Sequence, residues 1–580
     1  MPIYRNRRTL AAVLAVLFAL PALAAPMRPA HARNAMVASV HPEASRVGVE
    51  TLRVGGNAVD AAVAVGFALA VVHPQAGNLG GGGFLLLRTA DGDEHFLDFR
   101  EKAPAKATAN MYLDAQGNVI PNASLIGYKA VAVPGSVAGF AYAQKKWGKL
   151  PLGQVIAPAI KLARDGFILT YEDAEDFRDK HLAMFPESRR IFQRDGNYYQ
   201  QGDVFRQPEL ARTLERIAKN PDDFYRGEMA RQIAAAVQQG GGLITAQDLA
   251  AYEVKERQPV HGTYRGFEII SAPPPSSGGV ALIEILNILE GYELAKYGNR
   301  SAQSIHLITE AFRRAFFDRA ELMGDPDFSK VPVAQLIEKK YGVAWRESLN
   351  PDKATPSAEV RRPSIFTKLE QYAVSQSEPE HTTHYSVVDA HGNAVAVTYT
   401  LNDSFGSRVT VPGLGFLLNN EMDDFSSKPG VPNAYGLIQG PANAIGPNKR
   451  PLSAMTPTIV LRPPLPSDKE QKPQLFLVLG SPGGPRIITT VANILLGVVD
   501  FGMDIQAAVN APRFHHQWLP DKLYLERGFS PDTTTLLKQM GHQLQPGGYW
   551  SDGQCIMIDP KTGERLGASD GRHNGKVLGY

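Results

Sequence analysis

The stretch TTHYSVVDAHGNAVAVTYTLN, residues 382–402, predicts a β-hairpin in the interior of this chain. Its two halves, His384–Asp389 and Ala394–Leu401, alternate in the manner of strands. Between them lies His391-Gly392-Asn393, whose glycine and asparagine are typical turn residues. An antiparallel sheet built around this hairpin is therefore the first expectation for the fold.

Antiparallel pairing brings the two ends of this hairpin together. With a turn centred near residues 391–392, Thr382 lies opposite roughly Leu401. Thr400 and Asn402 then flank Thr382 and share one face, although a register slip of one residue would change that face. The sequence thus predicts two polar side chains beside a threonine at the start of a strand.

Thr382 also follows a segment, Asn350–Glu380, that is polar, contains proline and shows little hydrophobic periodicity. Such a segment predicts an exposed, cleavable linker. Cleavage before Thr382 would free an α-amino group with a pKa of about 8, which can accept the hydroxyl proton and act as a local base for acyl transfer. From spacing alone, the commoner interpretation is that Thr382 and Thr383 are ordinary residues capping a strand.

The rest of the chain predicts helices and a further hairpin. Ala58–Val72 is rich in alanine and valine, which predicts a buried helix, and the glycine-dense loop Gly77–Gly83 precedes two strand-like runs, Phe84–Thr89 and His95–Phe99. The remaining predicted elements are a mostly helical middle third (residues 150–349), a strand (Leu475–Leu479) and a helix (Arg486–Val499). Hairpins with helices favour antiparallel sheets with helices packed outside them.

Charge and motif content narrow the class of ligand. The 580 residues carry 60 basic and 58 acidic side chains, a formal net charge of +2. Phosphate-backbone binding needs a concentrated basic footprint, so no nucleic acid is expected as a partner. The sequence contains no Walker-type loop, no G-x-G-x-x-G and no H-E-x-x-H, so neither a cofactor nor a metal is predicted. Cys555 is the single cysteine, which excludes an intramolecular disulfide.

The N-terminus predicts export. Basic residues precede an apolar stretch, Leu10–Leu20, that is followed by small residues, the pattern of a secretory signal peptide. Cleavage fits after Ala24 or after Ala32, and Arg7-Arg8 also allows a weak twin-arginine signal. The apolar stretch is shorter than the roughly 20 residues of a spanning helix, so the mature protein is expected to have no membrane span.

Several longer motifs occur in the order found in one enzyme family. They are residues 78–84 (NLGGGGF), 98–101 (DFRE), 273–279 (PPPSSGG), 382–389 (TTHYSVVD), 419–425 (NNEMDDF), 449–453 (KRPLS) and 480–484 (GSPGG). On these motifs the chain resembles the γ-glutamyltranspeptidases from about Met36 to near the C-terminus. The resemblance implies the α+β fold of an N-terminal-nucleophile hydrolase, a four-layer αββα sandwich.

The resemblance also implies that the chain cleaves itself between His381 and Thr382. A signal peptide of residues 1–32 would then be followed by a large subunit, residues 33–381, and a small catalytic subunit, residues 382–580. The two subunits would come from one precursor and share one core. Relatives from bacteria suggest the periplasm as the location.

Site roles follow from the same resemblance. Thr382 would attack the γ-carbonyl of glutathione or another γ-glutamyl compound, Thr400 would orient its hydroxyl, and amino acids or peptides would accept the acyl group. The other implied site residues are Gly483 and Gly484 for the oxyanion, Arg100 and Ser453 for the α-carboxylate, Asn402, Glu421 and Asp424 for the α-ammonium group, and Tyr435 in a lid loop, Pro429–Gly440.

Two positions depart from the commonest family pattern and keep alternatives open. Glu421 stands where many bacterial relatives have glutamine, and Ser453-Ala454 where the family often has two serines. The lost hydroxyl favours a related glutaryl or cephalosporin acylase as one alternative, whereas Asp424 argues for a substrate with an amine. A second alternative is an exported protein that binds γ-glutamyl peptides without turnover.

Overall fold

Two seven-stranded antiparallel sheets form the centre of the computed structural model, which describes residues 27–363, 382–428, 431, 439–468 and 471–580. The strands are β1 Ala30–Ala32, β2 Met36–Ser39, β3 Gly82–Arg88, β4 Glu94–Asp98, β5 Phe167–Ile168, β6 Val204–Phe205, β7 Lys255–Arg257, β8 Val260–Tyr264, β9 Phe267–Ser271, β10 Thr383–Val388, β11 Ala394–Thr400, β12 Thr458–Arg462, β13 Gln474–Leu479, β14 Phe514–His515, β15 Leu523–Leu525, β16 Leu544–Pro546, β17 Gln554–Ile558, β18 Arg565–Ser569 and β19 Lys576–Gly579.

Helices cover the outer faces of both sheets. They are α1 Pro42–Arg53, α2 Ala58–Val72, α3 Ser136–Trp147, α4 Leu152–Asp165, α5 Tyr171–Asp176, α6 Pro186–Gln193, α7 Pro208–Lys219, α8 Asp223–Arg226, α9 Glu228–Gln239, α10 Ala246–Ala250, α11 Gly278–Leu289, α12 Ala302–Leu322, α13 Val333–Leu336, α14 Lys339–Glu347, α15 Arg486–Val499, α16 Ile505–Asn510 and α17 Pro531–Gln539. Helix α2 packs on β10 and β11, and α11 packs on β8 and β9 with α12 and α15 against it. The predicted four-layer αββα sandwich is confirmed.

The predicted hairpin lies at the centre of one sheet, whose strand order is β19-β2-β10-β11-β3-β4-β7. The other sheet has the order β1-β18-β17-β13-β12-β9-β8, and its strands β13 and β17 face the hairpin. The register differs by one residue from the prediction. Thr383 pairs with Tyr399, which brings Thr382 level with Thr400 rather than Leu401. The turn is the reason, because Asp389 N donates to Asn393 O across a five-residue connection centred on His391.

Both faces of the hairpin are buried, and each face has a different partner. Val395 and Val397 of β11 join the core beneath the helices, whereas Ala394 and Ala396 join the core between the sheets. Helix α2, whose 15 residues are all buried, covers the first face. Burying a valine side chain contributes about 1.5–3 kcal/mol, so this two-sided burial fixes the register of the strand that ends at Thr400.

Two predictions about the middle of the chain need correction. The middle third is mostly helical, but it also contains five strands: β5 and β6 pair with each other, β7 and β8 lie at sheet edges, and β9 pairs with β8 and β12. Their alternation is short and broken by polar residues, so the pattern did not predict them. The linker prediction holds only in part for residues 350–363, because more than half of them are exposed but Ser357 is buried and its N–H donates to Asp521 Oδ2 at 2.7 Å. Residues 364–380 of that linker lie outside the described part of the chain.

The predicted signal peptide falls mostly outside the described residues, which begin at residue 27. Residues 30–32 form β1, which pairs with β18 at the edge of a central sheet. Among the residues that the structure describes, no helix combines the length and apolar character needed to cross a membrane.

Candidate active site

Thr382 immediately precedes β10 and faces Thr400 at the end of β11. The two side-chain oxygens are 3.2 Å apart, and both residues are buried. Asn402 N donates to Thr400 Oγ1 at 2.8 Å, which fixes the orientation of that hydroxyl. Asn402 has a φ of +76°, a left-handed conformation that turns the chain back towards Thr400. The hairpin therefore holds a hydroxyl pair at its open end.

The glycine-dense loop before β3 secures this end of β11. Asn78 Nδ2 donates to Thr400 O at 2.9 Å, and Asn78 Oδ1 accepts from Gly81 N at 2.8 Å. A Cβ added at Gly81 would lie 1.9 Å from Thr400 O, so only glycine allows this close approach. The loop thus positions the backbone of Thr400, which explains the NLGGGGF motif.

A stripe of polar residues runs between the sheets behind Thr382. His384 Nδ1 lies 2.8 Å from Thr398 Oγ1, and its Nε2 lies 3.1 Å from Ser386 Oγ. Burial lowers the pKa of His384 to about 3, so the ring is neutral and is a weak base at neutral pH. His384 therefore acts as a hydrogen-bonded spacer, and the base for Thr382 has to come from elsewhere.

Gly483 and Gly484 form the turn that leads into helix α15. Their φ angles are +128° and +53°, which are left-handed conformations that favour glycine. Within the described residues neither N–H donates to a protein acceptor. The positive end of the α15 dipole begins two residues later and favours negative charge at the same place. This turn has the properties of an oxyanion-binding loop.

The predicted site residues come together around one small cavity of about 20 Å³, roughly the space of one water molecule. The cavity is lined by Arg100, Arg319, Thr382, Thr400, Asn402, Glu421, Asp424, Ser453, Ala454, Met455, Gly484, Pro485 and Ile487. Gly483 lies beside this lining. Tyr435 and His381 lie outside the described residues, so the predicted lid and cleavage bond have no described geometry.

Arg100 is fully buried among three carboxylates. It forms short hydrogen bonds to Glu421 through Nη1 and to Asp424 through Nη2. Nη1 also lies 3.5 Å from Glu101, a residue that sequence reasoning did not assign to the site. Burial alone would lower the pKa of Arg100, but the three carboxylates outweigh it, so the pKa is raised and the guanidinium stays charged.

The carboxylates around Arg100 exceed its single charge, and a proton compensates. Burial raises the pKa of Glu101 to about 7 against the opposing effect of Arg100. Burial also raises the pKa of Glu421 well above its usual range, with Glu101 and Asp424 adding to the effect. Both carboxyl groups face Nη1 of Arg100, which predicts that the pair shares one proton near neutral pH.

The wall at Ser453 is supported by the PPPSSGG loop. Ser277 N and Ser277 Oγ donate to Ser453 O at 2.8 and 2.6 Å, and Ser453 N donates to Pro275 O at 2.9 Å. Ser453 Oγ accepts from Met455 N at 3.1 Å. Ala454, next to it, presents only a methyl group to the cavity. The loop therefore holds the segment that lines the cavity next to Arg100, whose guanidinium donates to Pro451 O and Leu452 O.

Arg319 is a second charged residue of the site that sequence reasoning missed. It comes from the last turn of α12, is 1% exposed, and donates from Nε to Ser277 Oγ at 2.8 Å. Burial lowers its pKa to about 10, with Asp424 opposing and Arg100 adding to the decrease. The available signal was the cluster of charged residues in an otherwise apolar helix, residues 313–319.

A separate buried group contains possible metal ligands. His306, Glu310 and His542 have ligand atoms within 4.8 Å of one another. However, His306 Nδ1 and His542 Nε2 share a hydrogen bond of 2.8 Å, and Glu310 pairs with Arg313 and Arg314. Two cations beside the carboxylate oppose the binding of a third, so these contacts account for the cluster.

Comparison with known proteins assigns the family. The family model described as gamma-glutamyltranspeptidase matches residues 44–580. The chain is 52% identical over 548 residues to the glutathione hydrolase proenzyme of Escherichia coli strain K12, covering 94% of this chain and 91% of that protein. It is 49% identical over 578 residues to the glutathione hydrolase proenzyme of Pseudomonas sp. strain A14, covering 96% of each.

A solved structure agrees with this assignment at the level of the whole fold. The cephalosporin acylase from Bacillus halodurans superposes with a TM-score of 0.80 at 28% identity, covering 97% of this chain and 99% of that one. The same assignment is supported by the sequence motifs, the sandwich fold and the hydroxyl pair at the open end of the hairpin. The chain belongs to the γ-glutamyltranspeptidase family.

Proposed function

We propose that this protein is a γ-glutamyltransferase and glutathione hydrolase that acts through a threonyl acyl-enzyme. The observation that carries the proposal is the juxtaposition of two features in one cavity. The Thr382–Thr400 hydroxyl pair lies on one side, and the charged cluster of Arg100, Glu421 and Asp424 lies on the other. A nucleophile beside groups of both charges suits a substrate that carries an amino-acid head group.

The charged groups of the substrate would replace ion pairs that the protein forms within itself. Its α-ammonium group binds Glu421, Asp424 and the side-chain amide of Asn402. Its α-carboxylate binds Arg100 and the hydroxyl of Ser453. The ion pairs of Arg100 with Glu421 and Asp424 are thereby exchanged, in whole or in part, for pairs with the substrate, which limits the cost of burying its two charges.

Acyl transfer then follows from the geometry at Thr382. The free α-amino group of Thr382 accepts the hydroxyl proton, and Oγ1 attacks the γ-carbonyl carbon while Thr400 orients it. The N–H groups of Gly483 and Gly484 stabilise the oxyanion, each worth about 2.7–4 kcal/mol of the barrier. Collapse breaks the amide bond, and the leaving amine takes the proton. Water then releases glutamate, or an amino acid or peptide amine takes the acyl group.

Maturation would separate the large subunit, which ends at residue 381, from residues 382–580 without separating the fold. One sheet contains β2, β3, β4 and β7 from the first piece and β10, β11 and β19 from the second. Backbone hydrogen bonds of β2 and β3 to the hairpin therefore hold the two subunits together after cleavage. Export by a signal peptide, with the periplasm as destination, completes this proposal.

A second candidate is a related acylase for glutaryl or cephalosporin substrates. Ala454 in the cavity wall and the resemblance to the Bacillus halodurans structure favour it. Asp424 opposes it, because an acyl group without an amine leaves this carboxylate without a new partner. Hydrolysis of glutaryl-p-nitroanilide measured against γ-glutamyl-p-nitroanilide separates the two candidates.

The test is the intact mass of the purified protein before and after brief exposure to glutathione. Two fragments that meet between residues 381 and 382, with a glutamyl adduct on the smaller one, would support both nucleophile and substrate. Two fragments with neither an adduct nor released glutamate would favour the acylase. The Thr382→Ala variant is expected to remain one chain, and its efficient cleavage would exclude self-processing by this residue.

A further inference from the structure

The donors of Arg100 are all directed at protein acceptors. Nε donates to Pro451 O at 3.2 Å, Nη1 contacts Glu421 and Glu101, and Nη2 contacts Asp424 and Leu452 O, the last at 3.4 Å. A guanidinium has five N–H groups, and four of these contacts are hydrogen bonds, whereas Glu101 accepts none from Nη1 at 3.5 Å. A carboxylate that enters the cavity therefore competes with Glu421 and Asp424 for Arg100.

The guanidinium of Arg319 has fewer partners than that of Arg100. It lines the same cavity and is almost completely buried, yet within the described residues it forms no ion pair. Its Nε is held by Ser277 Oγ, whereas its Nη1 has no hydrogen-bond partner. Asp424 is near enough to raise the pKa of Arg319 but is not within ion-pair distance, and a buried charge that lacks a close counter-ion costs several kcal/mol of stability. Such a residue beside a cavity indicates an anionic ligand.

The surroundings of Arg319 indicate which part of the ligand it meets. Ser277 links it to the carbonyl of Ser453, so the guanidinium lies behind the wall that ends in Ala454. The missing hydroxyl at this wall removes one neutral donor for a carboxylate. A guanidinium donor provides both a hydrogen bond and a full charge at the same wall.

We propose that Nη1 of Arg319 binds the α-carboxylate of the γ-glutamyl substrate, so that two arginines rather than one select for this group. The inference rests on the proposed function and adds a specificity-determining residue to it. Arg100 can then keep part of its contact with Glu421 and Asp424, because the incoming carboxylate has a second cation. Recognition of the carboxylate therefore depends on α12 as well as on β4 and the loop after it.

The experiment compares two substrates in the mature enzyme and in the variants Arg319→Met and Arg319→Lys. γ-Glutamyl-p-nitroanilide carries the α-carboxylate, whereas 4-aminobutyryl-p-nitroanilide lacks it and keeps the amine. Arg319→Met is expected to lower kcat/KM for the first substrate about 10- to 100-fold, mostly through KM, and to change the second less than about threefold. Arg319→Lys, which keeps the charge, is expected to lose less on the first substrate.

An equal loss on both substrates would overturn the inference, because it would mean that Arg319 only supports the fold. Wild-type enzyme that is inactive on γ-glutamyl-p-nitroanilide would instead refute the proposed function. If mass spectrometry shows that Arg319→Met does not mature, a crystal structure of the mature wild-type enzyme with L-glutamate decides. A carboxylate oxygen within 3.5 Å of Arg319 supports the inference, and a greater distance overturns it.

Discussion

Replacing Glu421 with glutamine should remove a pH dependence from substrate binding. In the wild-type site, Glu101 and Glu421 share a proton near neutral pH because both are buried beside Nη1 of Arg100. The ammonium group of a substrate needs the charged form of Glu421, so binding expels this proton. Glutamine has no proton to expel.

The magnitude follows from one proton and a pKa of about 7 for Glu101. The free site binds the proton and the occupied site does not. The affinity of the site for a substrate head group therefore rises with pH up to this pKa. Linkage of one proton gives about a tenfold tighter complex at pH 8 than at pH 6. The same raised pKa stabilises the fold at low pH. That contribution is complete below the ordinary glutamate pKa of about 4.5 and is lost as the pH rises through about 7.

The assay is competitive inhibition by L-glutamate of γ-glutamyl-p-nitroanilide hydrolysis, at pH 6, 7 and 8. L-Glutamate keeps one charge state over this range, so a change in its inhibition constant reports the protein. Glu421→Gln is expected to show a smaller change with pH than the wild-type enzyme, because the α-amino group of Thr382, with a pKa of about 8, still titrates in the site. Glu50→Gln, on the exposed side of α1, is the matched control and should keep the wild-type slope. A flat wild-type profile, or a wild-type slope in Glu421→Gln, would refute the shared proton.

Three further changes test other parts of the site. Gly483→Ala should lower kcat about 10²–10³-fold, because its φ is +128° and a Cβ would lie 2.2 Å from Ser551 Oγ; an unchanged kcat in the matured variant would contradict the oxyanion assignment. Ala454→Ser should lower KM for γ-glutamyl-p-nitroanilide about tenfold by adding a donor for the carboxylate, and steady-state kinetics showing no decrease would count against this wall as the carboxylate site. N-terminal sequencing of the exported protein should show a start after Ala24, because removal of β1 (Ala30–Ala32) would expose the edge of β18; a start at residue 33 would show that β1 is dispensable.

Local patterns predicted the elements that carry the nucleophile. Helix α2 and helix α15 have the bounds expected from their apolar runs, and the hairpin strands end within a residue or two of the prediction. These elements depend on short-range periodicity and turn residues, which are visible in one sequence. The roles of Arg100, Glu421 and Asp424 came from motif resemblance and stay proposals. Periodicity and spacing alone did not identify them.

Long-range packing decided what local patterns could not. The one-residue register of the hairpin depends on how the turn closes at Asp389 and on burial against α2. The charge balance of the cavity depends on groups far apart in the chain, such as Arg100 and Glu421, which are separated by 321 positions. Arg319 has no motif around it, and only the docking of α12 against the PPPSSGG loop makes it a cavity residue.

The sequence by itself determined that this chain has a buried hairpin with a threonine at its open end, glycine loops beside it and the motifs of one enzyme family. Only the tertiary structure decided which charges share the cavity and which donor lacks a partner. The physical reason is that hydrophobic periodicity acts over a few residues, whereas the pKa of a buried group depends on every charge within a few ångströms, whatever its place in the chain.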